Sequence, residues 1–429
     1  WWLMMKNGRI LKRILANSVR NAGVEVVEQV MITKLFRRQD RITGAMGLNR
    51  RTGDLHVFRA KAVVLAMGAH QSRFSTNTTR NPFNIWQNPA NTGAQIVVAY
   101  EAGAKVKNLE WCTGTTLPKG FGAPAMCAFG GMGSYMRNAL GDKFMEKYHE
   151  LGDKAPRAFH IKAEGQEIAA GRIPLFVDST ELSDEDKEHL KNSLLTVDKH
   201  TFQDYLKQRG IDIGKQPLEV ETGEMSGGGN LQVDFHCESV NTKGLFGLAF
   251  SGMLSTALCG GYTAGTEAGK AAKTAPAPPP LDPELIQREG RRVMEPLGRQ
   301  EGLEPKEFED LIRQIMMHYM GHKRSLTGLQ IALQKLALVE ENVGKIKAEN
   351  LHELTRANEA VHLLQYCRLM IHAVINRKGM RGFYSLVDYP PKLDPELRDK
   401  YVVLSRENRE MKVTFEPIEP DNKEVPHAA

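Results

Sequence analysis

The chain has 429 residues, 41% hydrophobic and 25% charged, with a net charge of +6 and a pI near 8.9, a composition that suits a globular protein of two or three domains and not a disordered chain. The basic excess is small, and Lys and Arg are interleaved with Asp and Glu, which argues against a nucleic-acid binder built on a basic block. The five cysteines form no C-x-x-C pair, so neither an iron–sulfur cluster nor a zinc site has ligand spacing and no metal is expected.

Cys112, Cys127, Cys237, Cys259 and Cys367 are scattered, the pattern of reduced thiols in a cytoplasmic protein. No apolar run reaches the ~18 residues of a membrane helix, and no signal peptide is visible. The chain opens Trp1-Trp2 and not with Met, so a fragment or processed product is expected.

Apolar residues at Ile10, Leu11, Ile14, Leu15 and Val19 predict one helix face, closed by Gly23. Three β-prone runs, Val24–Val27, Val30–Phe36 and Ile42–Leu48, precede a turn at Thr52-Gly53-Asp54 and a fourth run, Leu55–Arg59. This predicts a small antiparallel meander. The continuous apolar stretch Ala62–Ala69 predicts a strand buried on both faces, as in a parallel sheet. Asn91-Thr92-Gly93 opens a second helix, closed by Gly103.

From about 108 to 224 glycine, methionine and short mixed helices dominate, which predicts an inserted domain. Within it Ser183 with Asp186 resembles a capping box. Strand–turn–helix chemistry returns between Gly227 and Lys273. The proline-rich stretch 274–280 is an extended linker. Asp282-Pro283, Glu304-Pro305 and Ser325 start helices. Leu364, Cys367, Ile371, Val374 and Ile375 mark a helix face ended by Gly379. The tail from Tyr401 is polar and strand-like, with disorder expected after Pro420.

Five motifs are weighed for chemistry, one of which is rejected. Ala66-Met67-Gly68 ends the buried strand, where glycine lets backbone pass close to a ligand. Gly260-Gly261-Tyr262-Thr263 runs into a small-residue helix, and a helix start there would offer unpaired N–H groups and a positive dipole end. Arg381, in the loop after the last long helix, has the fork geometry to hold a carboxylate. Gly120-Phe121-Gly122-Ala123-Pro124-Ala125 fits G-x-G-x-x-A but is rejected, because no buried strand is expected before it and Pro124 interrupts it. His318 and His322 are four apart without the adjoining Glu of a zinc protease. The plain alternatives are a core strand, a tightly packed helix, an interdomain salt bridge and a helix surface.

The ordered set resembles the fumarate reductase and succinate dehydrogenase flavoprotein family, including adenylylsulfate reductase. The segments that carry the resemblance are Gly44–Leu48, Ala60–Gly68, Asn91-Thr92-Gly93 with Ala102-Gly103-Ala104, Leu109-Glu110 and Asn138–Met145. Further along come Lys243–Ala249, Tyr319–Leu338, Arg381-Gly382 and Asp388-Tyr389-Pro390. It implies an α/β fold: a two-part, Rossmann-like FAD-binding domain at 1–108 and 226–275 with a capping domain at 109–225 inserted. A helical domain at 281–400 and a tail at 401–429 follow. It implies FAD held by Ala66, Met67, Gly68, Asn91, Thr92, Gly93, Gly252, Gly260, Gly261, Tyr262 and Thr263.

Departures from the family pattern narrow the chemistry. The family's amino-terminal βαβ unit with G-x-G-x-x-G is not found from Trp1 onward, so the chain is expected to be an amino-terminally truncated fragment. Thr92-Gly93-Ala94-Gln95 replaces Thr-Gly-Asp-Gly. Gly130-Gly131-Met132-Gly133-Ser134 stands where the family carries a proton-donating arginine. Met225 and the segment 256–259 stand near positions of a substrate histidine and arginine. The resemblance therefore implies an FAD-dependent oxidoreductase whose small-molecule substrate is not fumarate or succinate. Arg381 and Arg137 are the candidate catalytic cations. A separate iron–sulfur (ferredoxin-like) subunit is the expected electron partner, with no nucleic acid and no direct membrane span, and a location that is cytoplasmic or peripheral to a membrane complex. The alternative is a non-catalytic electron-relay or scaffold flavoprotein.

Overall fold

The computed structural model describes the chain except residues 1–7, 69–72, 86, 123–125, 196–199, 224, 249–253, 380–383, 390–393 and 419–429. Two compact units emerge. One comprises residues 1–29, 76–86 and 114–225, the other 30–75, 87–113 and 226–429.

In the larger unit the described residues form a six-stranded mixed sheet. Val30–Arg38 and Arg41–Asn49 run antiparallel, Leu55–Arg59 pairs with Arg41–Asn49, and Thr242–Phe246 lies parallel to both Arg41–Asn49 and Val63–Val64. The meander has three strands and not four runs. Val24–Val27 stays outside it, with Val24 55% and Val26 46% exposed, because no described strand pairs with it. Gly44 is required where the strands cross: a Cβ there would overlap the Phe58 carbonyl.

The apolar run at Ala62–Ala69 yields only a two-residue strand, Val63–Val64, and Val64 is 40% exposed. A parallel strand is buried on both faces only where layers cover both. Helix Leu254–Thr274 covers one side, through Ala264 and Ala268 against Phe246, Cys237 and Ala62.

The helical part starts where proline and polar caps place it. Asp282 accepts from Glu284 N, Glu304 and Glu307 form a reciprocal capping box, and Ser325 accepts from Gly328 N. The longest helix, Leu351–Arg377, is capped by Asn350. It ends with Lys378, not Gly379, in the left-handed region at φ 50°. The tail folds into a hairpin, Lys400–Glu407 with Glu410–Pro417, that joins Val106–Lys107 and Asn230–Leu231 in a four-stranded sheet. Val402, Val403 and Leu404 are fully buried. The disorder expected after Pro420 concerns residues outside those described.

The smaller unit begins with helix Gly8–Asn21, closed by Gly23 at φ +73°. It also holds a four-stranded antiparallel sheet in the order Thr116–Pro118, Leu218–Thr222, Leu175–Asp178, Tyr135–Arg137. Phe129, Phe144, Phe202, Leu190 and Val220 build its core with helix Arg157–Ala169 alongside. Ser183 caps Asp184–His189 as its spacing predicts, accepting from Asp186 N.

Candidate functional site

In the larger unit four chain segments converge. Leu65 N donates to Phe246 O at 2.8 Å, which fixes the start of the loop Ala66-Met67-Gly68. Gly68 adopts φ +91°, and a Cβ there would stand 2.6 Å from the Asn91 amide nitrogen. Met67 N donates to Gln95 Oε1 at 2.8 Å. Gln95, which stands where the resemblance has the second glycine of Thr-Gly-Asp-Gly, thus spends its side-chain carbonyl tying the two loops together.

Gly93, at φ 82°, is the N-cap of helix Ala94–Glu101, and any side chain on it would overlap the ring of Tyr366. Tyr366 in turn donates to Gly228 O at 2.6 Å. A Cβ on Gly227 would overlap the Tyr366 hydroxyl and stand 3.0 Å from Met370 Sδ. Thr92 and Tyr366 are buried, whereas Ala66 and Gly68 are exposed. The outcome is a surface made of backbone, held from behind by an aromatic ring.

The loop before Asn91 is anchored by charge. Arg73, with no exposed surface, donates from Nη1 to Pro89 O at 2.6 Å. It also pairs with Glu309 at 2.5 Å and Glu359 at 3.1 Å. Arg313 and Arg356 complete the network on Glu309 at 2.6 and 3.0 Å. Each buried charge has an opposite partner, as a low-dielectric interior demands.

The expected helix start after Gly260-Gly261 is not observed. The helix begins at Leu254, so the amides of Gly260, Gly261, Tyr262 and Thr263 lie within it and bond to the preceding turn. Small residues tolerated in a helix interior outweigh the breaking tendency of the glycine pair. Gly260 packs on Leu248, Gly261 has open space beside it, and Tyr262 is 79% exposed. The helix rests on Thr242–Phe246, the strand that also pairs with Val63–Val64. The structure therefore brings Ala66–Gly68 to Asn91–Gly93 and sets Gly260–Thr263 on the same sheet. Gly252 and Arg381 lie outside the described residues.

The described residues of the larger unit also hold a buried cluster that sequence reading missed. Arg324 lies 3.8 Å over the ring of Tyr384, and Glu110 stands 4.0 Å from Arg377. All four are buried, and burial pushes the Tyr384 phenol well above its usual range. Lys323–Arg324 and Ser385–Leu386 pair in parallel. The available signal was charge inside apolar runs, as in Leu109-Glu110-Trp111.

In the smaller unit, Arg137 sits on Tyr135–Arg137. Its Nε bonds Asp178 at 2.6 Å, Nη1 bonds Gly141 O at 3.0 Å, and Nη2 bonds Glu181. Its charge is thus matched by two carboxylates. The G-x-G-x-x-A stretch does follow a buried strand, Thr116–Pro118, contrary to expectation. That strand belongs to an antiparallel sheet, and Gly122 is needed for close approach to Asn84, so the parallel βαβ setting of a dinucleotide site is not met.

Comparison with known proteins adds the following. Residues 3–248 match the FAD binding domain family, and residues 309–429 match the fumarate reductase flavoprotein C-terminal family. An uncharacterized FAD-dependent oxidoreductase of Methanocaldococcus jannaschii is 26% identical over 384 residues, covering 86% of this chain and 68% of that protein. One of the subunits of the CoM/CoB fumarate reductase of Methanothermobacter marburgensis is 26% identical over 435 residues, covering 96% and 75%. The structure of adenylylsulfate reductase from Archaeoglobus fulgidus shares the fold, with a TM-score of 0.74 at 22% identity over 90% of this chain and 72% of that one. Among the described residues no helix is long and apolar enough to cross a membrane.

Proposed function

The chain belongs to the FAD-binding flavoprotein family that includes the fumarate reductase flavoproteins, and on that premise we propose that it oxidises or reduces a small substrate other than fumarate or succinate. It is an FAD-dependent oxidoreductase. When bound, FAD supplies a ring system that accepts or donates hydride or electrons.

The residues present fit that cofactor. Ala66, Met67, Gly68, Asn91, Thr92 and Gly93 would hold it, whereas Gly260, Gly261, Tyr262 and Thr263, inside helix Leu254–Thr274, offer it no helix start. The observation that carries this is the close packing of Gly68 on Asn91 and of Gly93 on Tyr366. It lets the two loops close on each other, with the backbone of Ala66 and Gly68 left exposed and Gly93 buried against the ring. The first-turn amides of helix Ala94–Glu101 add a positive dipole end beside that surface. Tyr366 and the Arg73 network position these loops, and take no proton.

Two observations support a substrate other than a dicarboxylate. Gly130 and Gly131 stand where a proton-donating arginine would, and Arg137 is already paired with Asp178 and Glu181. Electrons are inferred to come from a separate iron–sulfur protein. Cys112, Cys237 and Cys367 are buried and far apart in sequence, and only Cys259 among the described cysteines is exposed. The Methanothermobacter relative is by name one part of a multi-subunit enzyme.

The test is to reduce the flavin of the purified protein anaerobically and follow its reoxidation by stopped flow. Fumarate and adenylylsulfate serve as separate oxidants. Fumarate is expected to be slower than in a competent fumarate reductase by roughly 10²–10⁴, the contribution of a positioned acid. Fumarate reoxidation on the order of tens per second, abolished by Arg381→Ala or Arg137→Ala, would restore a dicarboxylate substrate. A flavin that no small oxidant reoxidises would point to the relay or scaffold role.

A further inference from the structure

The larger unit contains a cavity of about 430 Å³ that no step so far employs, within the usual size of a small-ligand site. Every residue lining it belongs to that unit, and none of them is assigned to FAD above. Part of the lining is apolar, with Val343, Ile346, Val361 and Leu364, and part is charged. Arg288 and Arg292 stand one turn apart on helix Pro283–Met294, a spacing that puts both on one face. Lys34 comes from strand Val30–Arg38 and Arg406 from strand Lys400–Glu407.

The charges do not balance. Buried Glu289 is shared by Arg292 at 2.7 Å and Lys34 at 3.9 Å. Glu295 is taken by Arg299 at 2.6 Å. Glu340 is taken by Arg368, which does not line the cavity. With Glu340 neutralised from outside, the five lining cations outnumber the other three lining carboxylates by two. Arg288 and Arg406 are exposed, and among the described residues their side chains make no ion pair or hydrogen bond. His362 lines the cavity from helix Leu351–Arg377 and is 4% exposed. Its Nδ1 is sealed off without a partner, which leaves Nε2 as the ring nitrogen toward the cavity, and among the described residues Nε2 makes no hydrogen bond either.

We propose that this cavity binds a small phosphomonoester, its phosphate received by Arg288, Arg292 and Arg406 with a hydrogen bond from His362 Nε2, and its organic body laid on Val343, Ile346, Val361 and Leu364. A phosphomonoester carries close to two negative charges at neutral pH, which matches the surplus. Guanidinium forks meet its oxygens with paired, charge-assisted hydrogen bonds. Arg288 and Arg292, being neighbours on one helix face, serve one compact group, whereas a dicarboxylate divides its charge between two ends. The site stands whichever substrate the flavin serves.

The experiment is calorimetric titration of the whole purified protein, at low ionic strength and with its flavin content recorded, using phenyl phosphate, phenyl sulfate and succinate. Phenyl phosphate is expected to bind. Phenyl sulfate keeps the ring but carries one negative charge, and succinate keeps two charges but separates them, so each should bind at least about tenfold more weakly. Arg288→Gln and Arg406→Gln break no internal ion pair, so each should leave the melting temperature unchanged while weakening phenyl phosphate by about tenfold, the scale of a lost hydrogen bond to a charged group. His362→Leu should weaken it by a similar factor, and if that variant does not fold the two arginine variants decide. Raising the salt concentration should weaken phenyl phosphate, because the arginines are exposed. No binding of phenyl phosphate, equal binding of phenyl sulfate, tighter binding of succinate, or binding indifferent to either arginine change overturns the proposal. Phenyl phosphate that is displaced by added FAD and ignores both arginine changes sits on the cofactor surface, which overturns it as well.

Discussion

The ring of Tyr366 fills the space that any side chain on Gly93 would need. Gly93 also sits at φ 82°, where a Cβ alone costs ~1–2 kcal/mol. Gly93→Ala should therefore destabilise the protein by more than that, since Tyr366 must move as well, and flavin content should fall. Urea denaturation and flavin absorbance measure both. Tyr366→Ala in the Gly93→Ala background should relieve the overlap, so the two changes should cost less together than their sum. An additive pair would show that the ring is not what excludes the side chain.

Arg73 joins Pro89 to Glu309 and Glu359. Arg73→Met leaves buried carboxylates short of a partner, and removing one member of such a set costs about 3–5 kcal/mol. Because Pro89 precedes Asn91 by two residues, the variant should also release flavin at lower urea concentration than it loses helix signal. Coincident loss of both would assign Arg73 to global stability alone.

Raised by burial, Glu164 titrates at about 8 when folded against 4.5 in the open chain. The folded state holds the extra proton, so this stabilisation is complete below pH 4.5 and is lost as pH rises to 8. The effect is on the order of a few kcal/mol. Glu164→Gln should flatten the fall in melting temperature between those limits, and a variant that keeps the wild-type slope would refute the assignment.

His362 has the opposite sign. It is buried, its Nδ1 has no hydrogen-bond partner, and burial lowers its pKa to about 4 from 6.5. The folded state excludes the proton, so stability is present above pH 6.5 and is lost as pH falls through 4. His362→Leu should weaken the acid limb of the melting profile. An acid limb unchanged in that variant would place the titrating group elsewhere.

What was legible in the sequence was local. Gly23, Ser183, Asp282 and Ser325 end or begin helices through groups within four residues of themselves, and the meander turn at Gly53 is closed by Asn49. The fold class was legible through ordered resemblance. The start of helix Leu254–Thr274 was misplaced because Gly260-Gly261 reads as a break, yet a helix-interior glycine costs only ~1 kcal/mol and Ala264 and Ala268 pack the helix on Phe246 and Cys237. The buried groups that escaped notice depend on distant partners. Tyr366 reads as one more core aromatic until Gly93 and Gly228 are placed against it, and Glu164 reads as a helix-surface acid until Thr116 closes over it.

The charged contacts that brace the site join parts of the chain far apart in sequence. Arg73 meets Glu309 across 236 positions and Glu359 across 286. Synthesis at ~5–20 residues per second puts roughly 15–60 s between Arg73 and Glu359. During that interval the loops at Ala66–Gly68 and Asn91–Gly93 have left the ribosome without the helix that braces them. If those loops hold the cofactor, the surface is expected to reach its final shape, and to take up FAD, only after helix Leu351–Arg377 has been made. Loss of chain beyond about residue 350 should abolish the site while leaving the smaller unit's sheet, whose strands close within residues 116–222, free to form.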